Sequence, residues 1–114
     1  MRRIISLNSV KAFYLNRDKV IKKLQEAAGE ATLLFPEIKE IRLVGSVARG
    51  EHTGLSDIDL FIVIDKGEEN AVERIKPYYR FFSEKIGISV DMIVARKEEI
   101  GDYEGLLRGS ILLA

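Results

Sequence analysis

Apolar residues recur at helical spacing from residue 20 onward. Val20, Ile21, Leu24, Ala27, Ala28, Ala31, Leu34 and Phe35 fall on one face of a 3.6-residue period. Asn16 stands where an N-cap would satisfy the first orphan N–H groups, and Asp18 puts a negative charge at the positive end of the helix dipole. Pro36 stops this helix, because the residue before a proline is driven out of the helical region. Ahead of it, residues 1–15 hold Ile4, Ile5, Leu7, Val10, Phe13, Tyr14 and Leu15 without a clean period. Ile41 to Val44 predicts a short strand ending at Gly45. Residues 57–64 (DIDLFIVI) predict a second strand that is apolar on both faces after Asp59, as a central strand of a covered sheet must be. Ala71, Val72, Ile75, Tyr79, Phe82 and Ile86 predict a helix within 68–86, with a kink or break just before Pro77 and a natural C-cap at Gly87. Ile88 to Ala95 is a third strand, Glu98 to Arg108 is helical, and Ile111 to Ala114 is either a short edge strand or packed coil. Helices thus alternate with short strands in an α/β (α+β) layer arrangement.

Length and charge narrow the classes. A chain of 114 residues forms a single domain, 1–114, with little room for a second lobe. Its 18 basic and 18 acidic residues cancel, which argues against gripping long nucleic acid by counterion release. It leaves open one nucleotide carried in with metal ions. With no cysteine and one histidine, neither a disulfide framework nor a thiolate zinc site is available. No apolar run reaches membrane-spanning length and the start lacks a signal peptide, so a cytoplasmic location is expected.

The carboxylates stand out against this background. Side chains alternate along a strand, so Asp57 and Asp59 point the same way, with Cα atoms about 6.5 to 7 Å apart. Carboxylates at that spacing can converge on one hard cation, Mg²⁺ or Mn²⁺, or flank a pair of them. Asp91 interrupts the third strand on the face opposite Ile88, Val90, Met92 and Val94. A carboxylate in a core strand is costly unless paired, protonated or on a metal. If that strand neighbours the second, the three acids meet. The plainer reading is an ion pair, for which Arg42 is a candidate; a D-x-D alone often marks a solvated strand end.

Gly45-Ser46 supplies a second half. Glycine lets a ligand approach the backbone, and a helical turn begun at 47–50 with Ser46 at its cap would present N–H groups to an anion. Arg49 would add a charge-assisted contact or simply be solvated. Taken alone, such a pair is a common strand-to-helix turn. His52 reads as a solvated loop residue. Asp65, Glu68 and Glu69 read as a turn and a helix start. Tyr78, Tyr79, Phe81 and Phe82 read as core in the main, with any exposed remainder a partner surface.

Together these residues resemble a known family. Gly45-Ser46, ten intervening residues, Asp57-Ile58-Asp59 and the later Asp91 in SVDMIV are similar to the signature of the polymerase-β-type nucleotidyltransferase superfamily. The phrases GSVARGE and SDIDLFIV resemble its minimal nucleotidyltransferase branch. The resemblance runs from about Asn16 to the end of the third strand. The tail LLRGSILLA departs from the family in lacking a tyrosine near its end. The resemblance implies a small mixed sheet of three or four strands flanked by helices, and transfer of a nucleoside monophosphate from an NTP to a hydroxyl with release of pyrophosphate. It implies that Asp57 and Asp59 bind two Mg²⁺ ions, and that Asp91 holds one of them and helps activate the acceptor. It further implies that Gly45 and Ser46 hold the β- and γ-phosphates of ATP, beside which Arg49 stays a candidate for a further phosphate contact. The minimal branch is often paired with a HEPN-domain toxin and acts as its antitoxin by adding AMP to a toxin tyrosine. Two other readings stand beside this one: a module that neutralises its partner by contact alone, and a transferase acting on a small-molecule hydroxyl. The absence of an acceptor-holding lobe ranks the latter lower.

Overall fold

The computed structural model describes residues 17–50, 58–67, 70–88 and 90–114. Asn16, Glu68, Glu69 and the stretch 1–15 lie outside the described residues. Helix α1 (Arg17–Leu34) leads into β1 (Ile38–Val44), a short helical turn α2 (Gly45–Arg49) and β2 (Ile58–Ile64). Helix α3 (Ala71–Ile86) crosses over to β3 (Val90–Arg96). A 3₁₀ stretch (Lys97–Tyr103) and a turn of helix α4 (Glu104–Leu107) then precede β4 (Ile111–Leu112). Among the described residues the sheet has four strands in the order β3-β2-β1-β4. β1 pairs antiparallel with both β2 and β4, whereas β2 and β3 run parallel. The sheet is therefore mixed and flanked by helices, as expected.

The parallel pair needs a crossover, and α3 supplies it. β2 is buried along its whole length except at Asp59. Its even-numbered residues (Ile58, Leu60, Ile62, Ile64) join Leu24, Ala27, Ala28 and Ala31 of α1 and Tyr78, Phe82 and Ile86 of α3 in the main core. The small alanines of α1 let that helix lie close to the sheet. Phe61 and Val63 face the other way beside Ala95 of β3, where Ile100, Tyr103, Leu106 and Leu107 cover them. The Phe61 and Tyr103 rings meet edge-on at 5.1 Å.

Several sequence expectations need correction. β1 begins three residues earlier than Ile41, with a register irregularity between Ile38 and Glu40. Leu34 is 62% exposed, at the last turn of α1. On α3, Val72 and Tyr79 are 67% and 48% exposed, while Arg74 and Tyr78 take the inner face. α3 also runs unbroken through Pro77. A proline inside a helix costs about 3 kcal/mol, and burial of Tyr78, Phe82 and Ile86 in the turns that follow offsets it. The stretch 98–108 is a 3₁₀ segment and a short helix, not one helix. The tail forms the edge strand, fixed by Ile41 N–H donating to the Ala114 carbonyl (3.0 Å) and Leu113 N–H to that of Ile41 (2.8 Å).

The polar residue on the inner face of α3 is tied down. Arg74 Nη1 donates to the Val94 carbonyl at 3.0 Å and to Glu99 Oε1 at 3.1 Å, joining α3 to the end of β3 and to the covering segment. Glu99 Oε1 also accepts from the Arg96 N–H at 2.7 Å. Arg74→Ala should lower stability by about 2 kcal/mol, since it removes charge-assisted bonds from a buried carbonyl; urea unfolding midpoints measure this. The Arg96 N–H, and after it the Arg74 guanidinium, hold the Glu99 carboxyl below its ordinary value. A depressed folded value stabilises above the unfolded carboxyl value of about 4.3 and loses that stabilisation as pH falls through the folded one. Glu99→Gln should therefore flatten the stability profile below about pH 4.3 and leave its shape near neutrality unchanged.

Candidate active site

The register of β2 builds the site. On one side Asp59 lies opposite Val44, the last residue of β1. On the other it lies opposite Asp91 of β3. Neighbouring strands are about 4.8 Å apart and in-register residues share a face, so the two carboxylates stand side by side. That face is the one covered by 97–107, but the cover sits over Phe61 and Val63 and leaves the Asp59 end open. Asp59 is half-buried and Asp91 exposed. A cavity of about 270 Å³ lies there, lined by Gly45, Asp59 and Asp91 with Val44, Leu60, Met92, Ile93 and Leu106.

Gly45 is required twice over. Its φ is +79°, a region that L side chains rarely adopt. A Cβ on it would also stand 2.5 Å from Asp59 Oδ2. The positive φ turns the chain straight from β1 into α2. The cap position therefore falls on Val44, without a side-chain hydrogen bond, and Ser46 lies inside the turn and not at its cap, correcting the sequence expectation. Gly50, at φ 73°, closes the turn.

Three contributions were not legible in the sequence. Arg17 reaches from the start of α1 to the far end of α2, with Nε donating to the Val47 carbonyl (2.9 Å) and Nη2 to that of Ala48 (2.7 Å). Gly109, at φ +73°, lies under Arg49, where a Cβ would stand 3.2 Å from Arg49 Cγ. Leu106 closes one wall of the cavity. Carbonyl acceptors thirty residues away leave no mark on a sequence. Arg42, the candidate ion-pair partner for the acids, is engaged by Glu40 and donates to Ser110 Oγ at 3.2 Å. Asp57 and His52 lie outside the described residues.

Comparison with known proteins identifies the family of this fold. The family model of the nucleotidyltransferase domain matches residues 17–111. A stretch of 60 residues is 32% identical to a Methanocaldococcus jannaschii protein named "putative protein adenylyltransferase", covering 53% of this chain and 60% of the relative. The match thus spans less than two thirds of that relative's length. A crystal structure of a "putative nucleotidyltransferase" from Sulfolobus solfataricus superimposes with a TM-score of 0.64 at 27% identity, over 91% of this chain and 85% of the other. The family match and the fold place the chain among enzymes that move nucleotidyl groups. It belongs to the nucleotidyltransferase domain family.

The Gly45–Asp59 contact makes a quantitative test. Gly87 has a similar φ, +75°, with nothing among the described residues within 4 Å of a Cβ. Gly87→Ala should cost only the left-handed strain, about 1 to 2 kcal/mol. Gly45→Ala should cost more than Gly87→Ala, and the excess should vanish in an Asp59→Ala background. Equal costs for Gly45→Ala with and without the Asp59 carboxylate would show that the contact has no energetic weight.

Proposed function

We propose that this chain transfers AMP from ATP to a hydroxyl of a partner protein, a tyrosine of a HEPN-domain toxin, and so acts as its antitoxin. The observation that carries the transferase reading is the alignment of Asp59 with Asp91 beside Gly45 at one cavity. The acceptor oxygen attacks the α-phosphorus. A new phosphorus–oxygen bond forms as the bond to the β-phosphate breaks, pyrophosphate leaves, and the hydroxyl proton passes to Asp91 or to water. Gly45 brings bare backbone up to the triphosphate, Ser46 Oγ donates to a phosphate oxygen, and Arg49 pairs with phosphate charge. Such transfers are governed by positioning and charge neutralisation.

The donor set suits a hard cation. Both described acids offer only carboxylate oxygens, side by side on one face, and like charges so placed are relieved by a cation between them. Among the described residues these two alone do not make a group of three ligands; the family resemblance supplies Asp57 as the third. Asp57, Asp59 and Asp91 would hold two Mg²⁺ or Mn²⁺ ions, which when bound neutralise charge on the reacting phosphates. The family membership and the name of the Methanocaldococcus relative support nucleotidyl transfer to protein. Among the described residues no helix is long and apolar enough to cross a membrane, and a cytoplasmic enzyme fits this reading.

Mass spectrometry of the partner after incubation with each NTP and Mg²⁺ tests the proposal. The expected result is a gain of AMP on a tyrosine with pyrophosphate released, reduced by about 10²-fold or more in Asp59→Asn or Asp91→Asn. Protection from the toxin without any mass gain, unaffected by those substitutions, would establish neutralisation by contact instead.

A further inference from the structure

Short helices cannot hold themselves in place. A turn of five residues makes too few internal hydrogen bonds to offset the cost of nucleation, and its last carbonyls have no partner within the helix. α2 is such a turn, and it bears every residue assigned above to the phosphates: Gly45, Ser46 and Arg49. Inside, Val47 and Ala48 are buried against the sheet. Outside, the Gly50 N–H reaches the Val47 carbonyl at 3.2 Å. A further hold comes from the start of α1, from Arg17.

We propose that Arg17 is a positioning residue for nucleotide binding: its guanidinium clamps the Val47 and Ala48 carbonyls and so fixes the turn that presents Gly45 and Ser46 to the triphosphate. The inference rests on the transferase reading of that turn. The geometry is specific. Two different nitrogens of one planar group reach two successive carbonyls, at 2.9 and 2.7 Å, which fixes orientation as well as distance. A cation at the carbonyl end of a helical turn is also favoured by the turn's own dipole. The base of the clamp is firm, because Arg17 opens an eighteen-residue helix anchored in the core by Leu24, Ala27 and Ala28. Arg17 thus acts on the ligand through backbone, not by contact. The first helix becomes part of the binding apparatus despite contributing none of the motif residues.

Arg17→Gln and Arg17→Lys in the full chain, with Mg·ATP binding measured by calorimetry and amide exchange followed by mass spectrometry, test this. Arg17→Gln should weaken ATP binding about tenfold, the scale of one lost charge-assisted hydrogen bond. Arg17→Lys should fall between, since an ammonium lacks the fork that spans two carbonyls. Exchange should accelerate across residues 45–50 and stay unchanged in β2. ATP binding as tight as wild type in Arg17→Gln would overturn the proposal. So would exchange that accelerates equally in β2, because the residue would then be a general stabiliser. If Arg17→Gln fails to fold, the same two measurements on Arg17→Lys decide. A wild-type chain that binds no NTP marks failure of the transferase reading, and reduces the clamp to a structural contact with no role in binding.

Discussion

The carboxylate of Asp59 leans against the bare Cα of Gly45, and the site depends on that contact. It exists because β2 is in register with both neighbours at once. The antiparallel pairing with β1 sets Asp59 opposite Val44, one residue before the glycine. The parallel pairing with β3 sets it opposite Asp91. A slip of one residue on either side would turn the acid into the core and an isoleucine out toward the cavity, since strand side chains alternate. The main core packed around Ile58, Leu60, Ile62 and Ile64 would have to take in the Asp59 carboxylate, which makes such a slip costly. Packing far behind the site thus holds its chemistry in place.

The two faces of the sheet divide the work. One is closed by α1 and α3 and supplies the stability. The other is only partly covered, by the compact 3₁₀ and helical stretch that follows β3. Phe61, Val63 and Ala95 take shelter under it, while Asp59 and Asp91, on the same face but nearer the strand ends, remain open. The Arg74–Val94–Glu99 link ties this cover to the crossover helix, so the extent of the opening is set by hydrogen bonds and not by loop length.

Much of this was legible in the sequence. The 3.6-residue period from Val20 to Ala31 placed α1, and an eight-residue run apolar after Asp59 marked a central strand. Asp91 was legible because a lone acid on an otherwise apolar strand demands a reason. What the sequence hid has physical causes. Arg74 occupies an inner position of α3, so the apolar stripe seemed to run through Val72 and Tyr79. Pro77 announced a break that packing overrides. The first residues of β1, with Lys39 and Glu40, look like a loop because their strand character comes from pairing. Among the described residues Arg17 bonds to backbone carbonyls, which every sequence offers everywhere.

The parallel pairing of β2 with β3 has one further consequence. Asp59 and Asp91 come together only when the crossover helix has docked and the two strands have zipped, so neither local helix formation nor the β1–β2 pairing alone creates any part of the carboxylate pair. Contacts between segments so far apart in the chain form late and at high entropic cost. The site is therefore a property of the completed fold and is absent from partly folded chains. Any ligand that binds there selects the native state, and its binding energy adds directly to the stability of the sheet. In this small protein, occupancy and folding are coupled through a single pair of strands.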